Sequence, residues 1–222
     1  PTPLNLRGTM ARNRFKNLKV EKQEAILRAA GEEFAEKGFG SASINRIIQE
    51  SGMSKGSVYY YFENKADLFA TTVERSFQRI VEEIGWFSLE VLGPDEFWEA
   101  LLELTHRTVA WAQRNDWWMT LGRAYHRILQ EPGAGLAAGR LSEIGNEWWK
   151  SIIERGQVLG VIRNDLPLDL LVAIVMGADQ GGDRWMIDHW AEFDDAGIKE
   201  IVDGRVDLLR DMLDKENEGW DR

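Results

Sequence analysis

Apolar residues recur every three to four positions along most of the chain, and no run alternates them with polar residues in the manner of a strand. Over residues 21–37 the apolar positions are Ile26, Leu27, Ala30, Phe34 and Ala35, and Gly38 followed by Phe39 predicts a left-handed C-terminal cap with its hydrophobic contact. Ser43 caps a shorter helix whose inner face is Ile44, Ile47 and Ile48, and Gly52 stops it. Ser54 caps a third helix, equally short, that ends near Tyr60. Asn64 and Asp67 predict a capping box for a fourth, which carries Leu68, Phe69, Val73, Phe77 and Ile80 toward Trp86.

Two short helices joined by a tight Gly-containing turn and braced by a helix on each side are the parts of a helix-turn-helix DNA reader. Beyond Gly93 the helices lengthen. Pro94 opens one through Phe97, Trp98, Leu101, Thr105 and Val109, and Asp116 caps another carrying Trp117, Trp118, Leu121 and Tyr125. Residues 130–135, QEPGAG, form a loop before a helix marked by Leu141, Ile144, Trp148, Ile152 and Ile153.

Residues 168–189 carry a stripe of Leu171, Ile174, Val175, Ala178, Gly182, Trp185, Met186 and His189, with Gly177 and Gly181 beside it. Glycine costs a helix interior about 1 kcal/mol relative to Ala, so several together point to a second backbone close by. A last stripe over 198–213 contains Ile201, Val202, Val206, Leu209, Met212 and Leu213. Paired with their copies, these two helices predict a symmetric four-helix interface through Ile174, Ala178, Gly181, Gly182, Trp185, Val202, Leu209 and Met212. The expected fold is all-α: an N-terminal three-helix helix-turn-helix DNA-binding domain at 20–65, then a larger helical ligand-binding and dimerisation domain at 66–222. Residues 1–19 are expected to be a flexible basic arm, in which Arg12, Arg14, Lys16 and Lys19 either reach DNA or form a solvated tail. The opening PTPLNLRGTM has no periodicity and receives no function.

Charge sharpens this division. The chain carries a net charge of -10, yet residues 1–65 hold 11 Lys and Arg against 7 Asp and Glu (+4), leaving 16 against 30 (-14) for the remainder. The acidic average conceals a basic end of the kind that meets nucleic acid. The 222 residues include no cysteine, which excludes a disulfide framework, a thiolate metal site and a Cys nucleophile. No apolar stretch approaches the roughly 18 residues of a membrane span, and a soluble, cytoplasmic protein without a membrane partner is expected.

The stretch SKGSVYYYFENK, residues 54–65, is unusual for its three consecutive tyrosines. On a helix Tyr59, Tyr60 and Tyr61 point about 100° apart, so at least one faces outward. A phenol offers an apolar ring to sugar or a thymine methyl and a hydroxyl to a phosphate oxygen. Lys55 and Gly56 stand in the first turn, where a recognition helix reaches base edges, and Lys65 with the free N–H groups of the next helix start suits one phosphate. The alternative is that residues 59–62 are the core of a small bundle, a role better suited to Tyr61 and Phe62 than to Tyr60.

The segment GFGSASINRIIQESGMSKGSVYYYFENKADLF, residues 38–69, resembles the DNA-binding segment of the TetR family of transcriptional regulators. It shares the family's Gly-Phe opening, its Ser-capped second helix, its Ser-Gly turn and its Tyr-x-Tyr-Phe-x-x-Lys-x-x-Leu close. The resemblance implies that Ser43 and Lys65 contact phosphates, that Ser54, Lys55, Gly56 and Ser57 approach bases or backbone, and that Tyr59 and Tyr60 contact phosphate or base. It further implies a homodimer on palindromic double-stranded operator DNA, released by a small-molecule effector, most often as a repressor. Ser57 and Tyr60 stand where Thr and His are frequent in the family.

All ten tryptophans lie after residue 85. Trp98, Trp111, Trp118, Tyr125 and Trp148, with Thr105, are candidates to line an effector pocket, and His106, Arg123 and His126 are further polar anchors. Such a lining suits a flat or bulky apolar effector, or a lipophilic cation held by cation-π contact. His106, His126 and His189 lack ligand spacing, and neither a metal nor a cofactor is expected. The competing class is an all-α enzyme with an aromatic cavity for a hydrophobic substrate such as a prenyl diphosphate, suggested by Asp194–Asp195 and by Asp179 and Asp183 at i, i+4. Ile198 occupies the position where a further carboxylate would complete a diphosphate clamp, and no phosphate loop or nucleophile elbow is present. An architectural DNA protein would not need the acidic, aromatic second half.

If the tyrosines serve DNA, Tyr60→Phe and Lys55→Ala each weaken operator binding while leaving the thermal midpoint nearly unchanged; binding titrations beside melting curves separate this from a core role, in which both fall together.

Overall fold

The computed structural model describes residues 13–84, 93–128 and 135–215, and among these every extended element is a helix, with one isolated bridge between Ile162 and Asp214. The chain enters through a single turn, α1 (Asn13–Lys16), and continues into α2 (Val20–Ser41), α3 (Ile44–Ser51), α4 (Lys55–Tyr61) and α5 (Lys65–Ile84). A 3-10 turn at Pro94–Glu96 precedes α6 (Phe97–Gln113) and α7 (Asp116–Ile128). Then follow α8 (Gly135–Leu159), α9 (Leu168–His189) and α10 (Asp195–Leu213). Trp86 and most of the expected loop at 130–135 lie outside the described residues, as does Arg12 of the expected arm.

The helices divide into two compact units. One contains α1 to α5, together with α7 and the start of α8, and α7 packs along α2. The packing boundary therefore does not fall at residue 65, because α5 and α7 complete the core around α2. Ile26, Ala30 and Phe34 of α2 are fully buried, and the Phe34 ring meets Phe69 edge-on with centroids 4.8 Å apart. Gly38 does adopt a positive φ of 72°, but its ψ of 171° makes it a break after which helical turns resume to Ser41. Phe39 then stacks beside Phe34 and against Phe69, which is the expected hydrophobic contact.

The other unit contains α6, α8 from Ile144 onward, α9 and α10. Its core joins Phe97, Leu101, Ile152, Ile153, Leu171, Val175, Leu209 and Leu213. Val202 and Leu209 were expected at a dimer interface; they are 1 % and 9 % exposed and belong to this protomer's own core, because α10 turns that face onto α6. Gly182 also serves the protomer: a Cβ there would lie 2.7 Å from the Arg205 guanidinium, so the missing side chain makes room for that arginine.

Arg205 gathers the polar centre of this unit. Its guanidinium donates to Asp183 at 2.8 Å and to Asp179 at 3.3 Å, while the Trp149 indole N–H donates to the other Asp179 oxygen at 3.1 Å. Burial and the neighbouring Asp183 carboxylate push the Asp179 carboxyl up to about 7, against the opposing pull of Trp149 and Arg205. A carboxyl raised on folding favours the protonated form in the native state, so its contribution is present at low pH and is lost as pH rises from the ordinary carboxylate range through about 7. Asp179→Asn, which keeps an acceptor without the charge, is expected to melt above the parent at pH 8, with the gap closing toward pH 5 in a melting series across that range.

Candidate nucleic-acid interface

Helix α4 has seven residues, too few to be stable alone in water, so its position is dictated by caps and by what it buries. Val58 (1 % exposed) and Phe62 (2 %) point inward, and Phe62 packs on the buried Phe15 ring at 4.9 Å. Tyr61 is half-buried with its ring edge-on to Phe15. With Val58 and Phe62 fixed inside, the helical period turns Tyr59 and Tyr60 outward, and they are 45 % and 49 % exposed. Lys55 and Gly56 are exposed in the first turn. A Cβ on Gly56 would meet nothing within 4 Å, so the space above that backbone is open.

The turn between the short helices is set by Gly52 at φ 65°, ψ 15°, a left-handed conformation that Gly adopts without steric penalty. Ser43 and Ser54 cap α3 and α4 as their spacing predicted: Ser43 Oγ accepts from the Arg46 N–H at 3.4 Å and Ser54 Oγ from the Ser57 N–H at 3.1 Å. The two hydroxyls of Ser54 and Ser57 also share a 2.8 Å hydrogen bond. Asn64 caps α5 by accepting from Asp67 N–H at 2.9 Å; the Asp67 carboxylate returns to the N–H of Glu63, one residue before the cap.

Lys65 is engaged by the protein's own backbone. Its ammonium donates to the carbonyls of Gly40 at 2.9 Å and Ala42 at 3.3 Å and sits 4.9 Å from the Phe39 ring centroid. Of the three donors of an ammonium, these bonds leave at most one for a phosphate. Lys65 thus ties the start of α5 to the end of α2, a role the sequence pattern did not reveal.

Residues 26–72 match the family model described as bacterial regulatory proteins, tetR family. Over these residues the chain carries the helix-turn-helix domain of the tetR family. The repressor AcnR of Corynebacterium diphtheriae is 24 % identical over 154 residues, which cover 69 % of this chain and 74 % of that protein. A solved TetR-family regulator of Syntrophomonas wolfei superposes with a TM-score of 0.68 at 19 % identity, covering 92 % of this chain and all of that one. The transcriptional regulator FadR of Bacillus subtilis, solved in complex with stearoyl-CoA, gives a TM-score of 0.63 at 17 % identity over 83 % of this chain and 96 % of its own. These likenesses extend the TetR fold through the long helices, while the sequence match concentrates in the reader.

The candidate effector residues are placed as follows. Trp98 and Trp111 are 9 % and 4 % exposed on α6, and Trp148 on α8 is partly buried with its ring 4.7 Å from that of Trp149. The Thr105 hydroxyl donates to the Leu101 carbonyl of its own helix at 2.9 Å. Tyr125 on α7 is half-buried, and its ring meets His126 edge-on at 5.0 Å. The Trp118 side chain lies outside the described residues. His106 is bonded to Asp203 at 2.6 Å, so that anchor is already engaged.

The candidate dimer residues separate by face. Ile174 and Trp185 are 42 % and 44 % exposed, Ala178 and Gly181 are exposed between them, and Met212 is half-buried. Leu170 at 44 % extends this apolar face of α9, and Leu208 at 64 % is exposed on α10; neither stands out in the sequence pattern.

Replacing Lys65 with Met is expected to lower the native-state stability by about 1 kcal/mol, the scale of one hydrogen bond, whereas Gly56→Ala keeps or slightly raises the melting temperature and weakens DNA binding by crowding the open backbone. Denaturant titrations paired with duplex binding distinguish the two.

Proposed function

We propose that this regulator represses transcription by occupying a palindromic operator as a homodimer, and that a small apolar effector held by the long helices releases it. The observation that carries the reading is the outward pair Tyr59 and Tyr60, with Lys55 and Gly56, on a helix whose opposite side is locked into the core. Ser43, Ser54, Ser57 and one donor of Lys65 complete the DNA-facing surface, with the hydroxyls and ammonium on phosphates and the first turn of α4 at base edges.

Dimerisation is supported by the exposed face of α9. Leu170, Ile174, Ala178, Gly181 and Trp185 recur at helical spacing, and a Cβ at Gly177 or Gly181 would meet nothing within 4 Å of the protomer. An apolar stripe with small residues at its centre suits the close approach of an identical helix about a two-fold axis. Two readers so joined address two half-sites separated by whole turns of the duplex.

For the effector, Trp98, Trp111 and Trp148, with Thr105 near the middle of α6, supply a lining rich in aromatic rings. FadR's stearoyl-CoA complex shows that a protein of this fold takes up a long apolar chain. Release follows when the effector prefers the arrangement in which the two readers do not fit the operator, since equal affinity for both arrangements shifts nothing. The protein is not an enzyme in this reading: the carboxylates that suggested a diphosphate site, Asp179 and Asp183, are taken up by Arg205 and Trp149.

The deciding experiment titrates the purified chain against duplex from its own upstream intergenic region at low and moderate salt, then follows tryptophan fluorescence with lipophilic cations, flat aromatics and long-chain acyl-CoA. Saturable binding to one palindromic segment is expected, weakening by about a thousandfold or more between 50 and 200 mM salt where six phosphates are contacted. A quenching compound should also release the duplex. Binding no better than to random duplex would remove the reading.

A further inference from the structure

Glu33 is only 6 % exposed on α2, a helix whose Ala30 and Phe34 are also buried. A carboxylate there requires partners, since burying one unpaired is prohibitively unfavourable. One of its oxygens, Oε1, accepts from the N–H of Ser43 at 2.9 Å, the residue that caps α3. The other, Oε2, lies 3.4 Å from Nε of Arg46 in the first turn of the same helix. Arg46 is 53 % exposed at its side chain, so the guanidinium turns its Nε toward Glu33 while much of its surface meets solvent.

We propose that Arg46 is a DNA phosphate contact and that Glu33 is the positioning residue that holds it, and Ser43 with it, in place. The inference rests on the DNA-binding reading above. In a helix-turn-helix the first of the two short helices crosses the sugar-phosphate backbone, and α3 is that helix. A long arginine side chain gives up rotamer freedom on binding, and a guanidinium already held through Nε loses less of it when its remaining N–H groups meet a phosphate. The Ser43 hydroxyl, whose oxygen accepts from Arg46 N–H, keeps its own hydrogen to donate. One buried carboxylate from α2 therefore sets the direction of two groups on α3.

The opposite outcome is also physically definite: a carboxylate this close could instead neutralise Arg46 and weaken its attraction for phosphate. The test uses the full chain and the tightest duplex recovered by in-vitro selection from a randomised library. Arg46→Ala is expected to weaken binding about tenfold and to reduce the slope of log K against log salt by about 0.9 for each phosphate that the arginine no longer neutralises. Arg46→Lys restores the slope without the full affinity. Glu33→Gln, which keeps an acceptor for Ser43, weakens binding a few-fold (about two- to fivefold) with the slope unchanged, and adds nothing in the Arg46→Ala background, as coupled residues should. An unchanged slope for Arg46→Ala, tighter binding by Glu33→Gln, or strictly additive losses each overturn the proposal while leaving the reader intact. A parent chain that enriches no duplex sinks the DNA-binding reading and this inference with it. Should Glu33→Gln fail to fold, the slopes of the two Arg46 variants decide.

Discussion

A helix of seven residues has no stability of its own, and the reader depends on how α4 is held. Val58 and Phe62 anchor one side in the core, Ser54 and Gly52 fix where the helix begins, and the helical period then turns Tyr59 and Tyr60 to solvent. The surrounding contacts serve that placement. Phe15 from the first turn closes over Phe62, Lys65 binds the end of α2 to the start of α5, and Glu33 fastens α3 to α2. The short helices hold their place through caps at their starts and buried inner faces.

The second unit is built on different terms. Its helices are long enough to bury continuous apolar stripes, and its polar groups are concentrated where α8, α9 and α10 meet at Trp149, Asp179, Asp183 and Arg205. That cluster ties neighbouring helices together through charge, with Gly182 leaving the space that Arg205 fills. Burial and the Asp183 carboxylate hold the Asp179 carboxyl well above the usual carboxylate range inside this cluster. Outside this centre, α9 presents Leu170, Ile174 and Trp185 to solvent, a face that a single protomer leaves uncovered.

Much of this organisation was legible in the residues because it is local. Ser43, Gly52, Ser54 and Asn64 mark helix ends through bonds to atoms within four positions, so their spacing alone located α3, α4 and the start of α5. The outward direction of Tyr60 follows from helical period with Phe62 in the core. Glu33 and Lys65 were harder to read, since each acts on partners 10 to 25 positions away and nothing in their own neighbourhood announces it. The last two helices were misread in part for a related reason: an amphipathic stripe shows that a face is buried without naming what buries it. Val202 and Leu209 are covered by their own protomer, while Leu170 on α9 and Leu208 on α10 are exposed, and periodicity leaves both unmarked.

The sequence by itself determined the helical class, the caps and turn of the reader, the basic and acidic halves and the TetR resemblance, because hydrophobic period, capping chemistry and charge are properties of neighbouring residues. Only the tertiary structure decided which stripe is core and which is free, which charged side chain is exposed and which is spoken for, and that Glu33 reaches Arg46. Those outcomes depend on which helix packs against which, a relation set by many weak contacts between residues far apart in the chain.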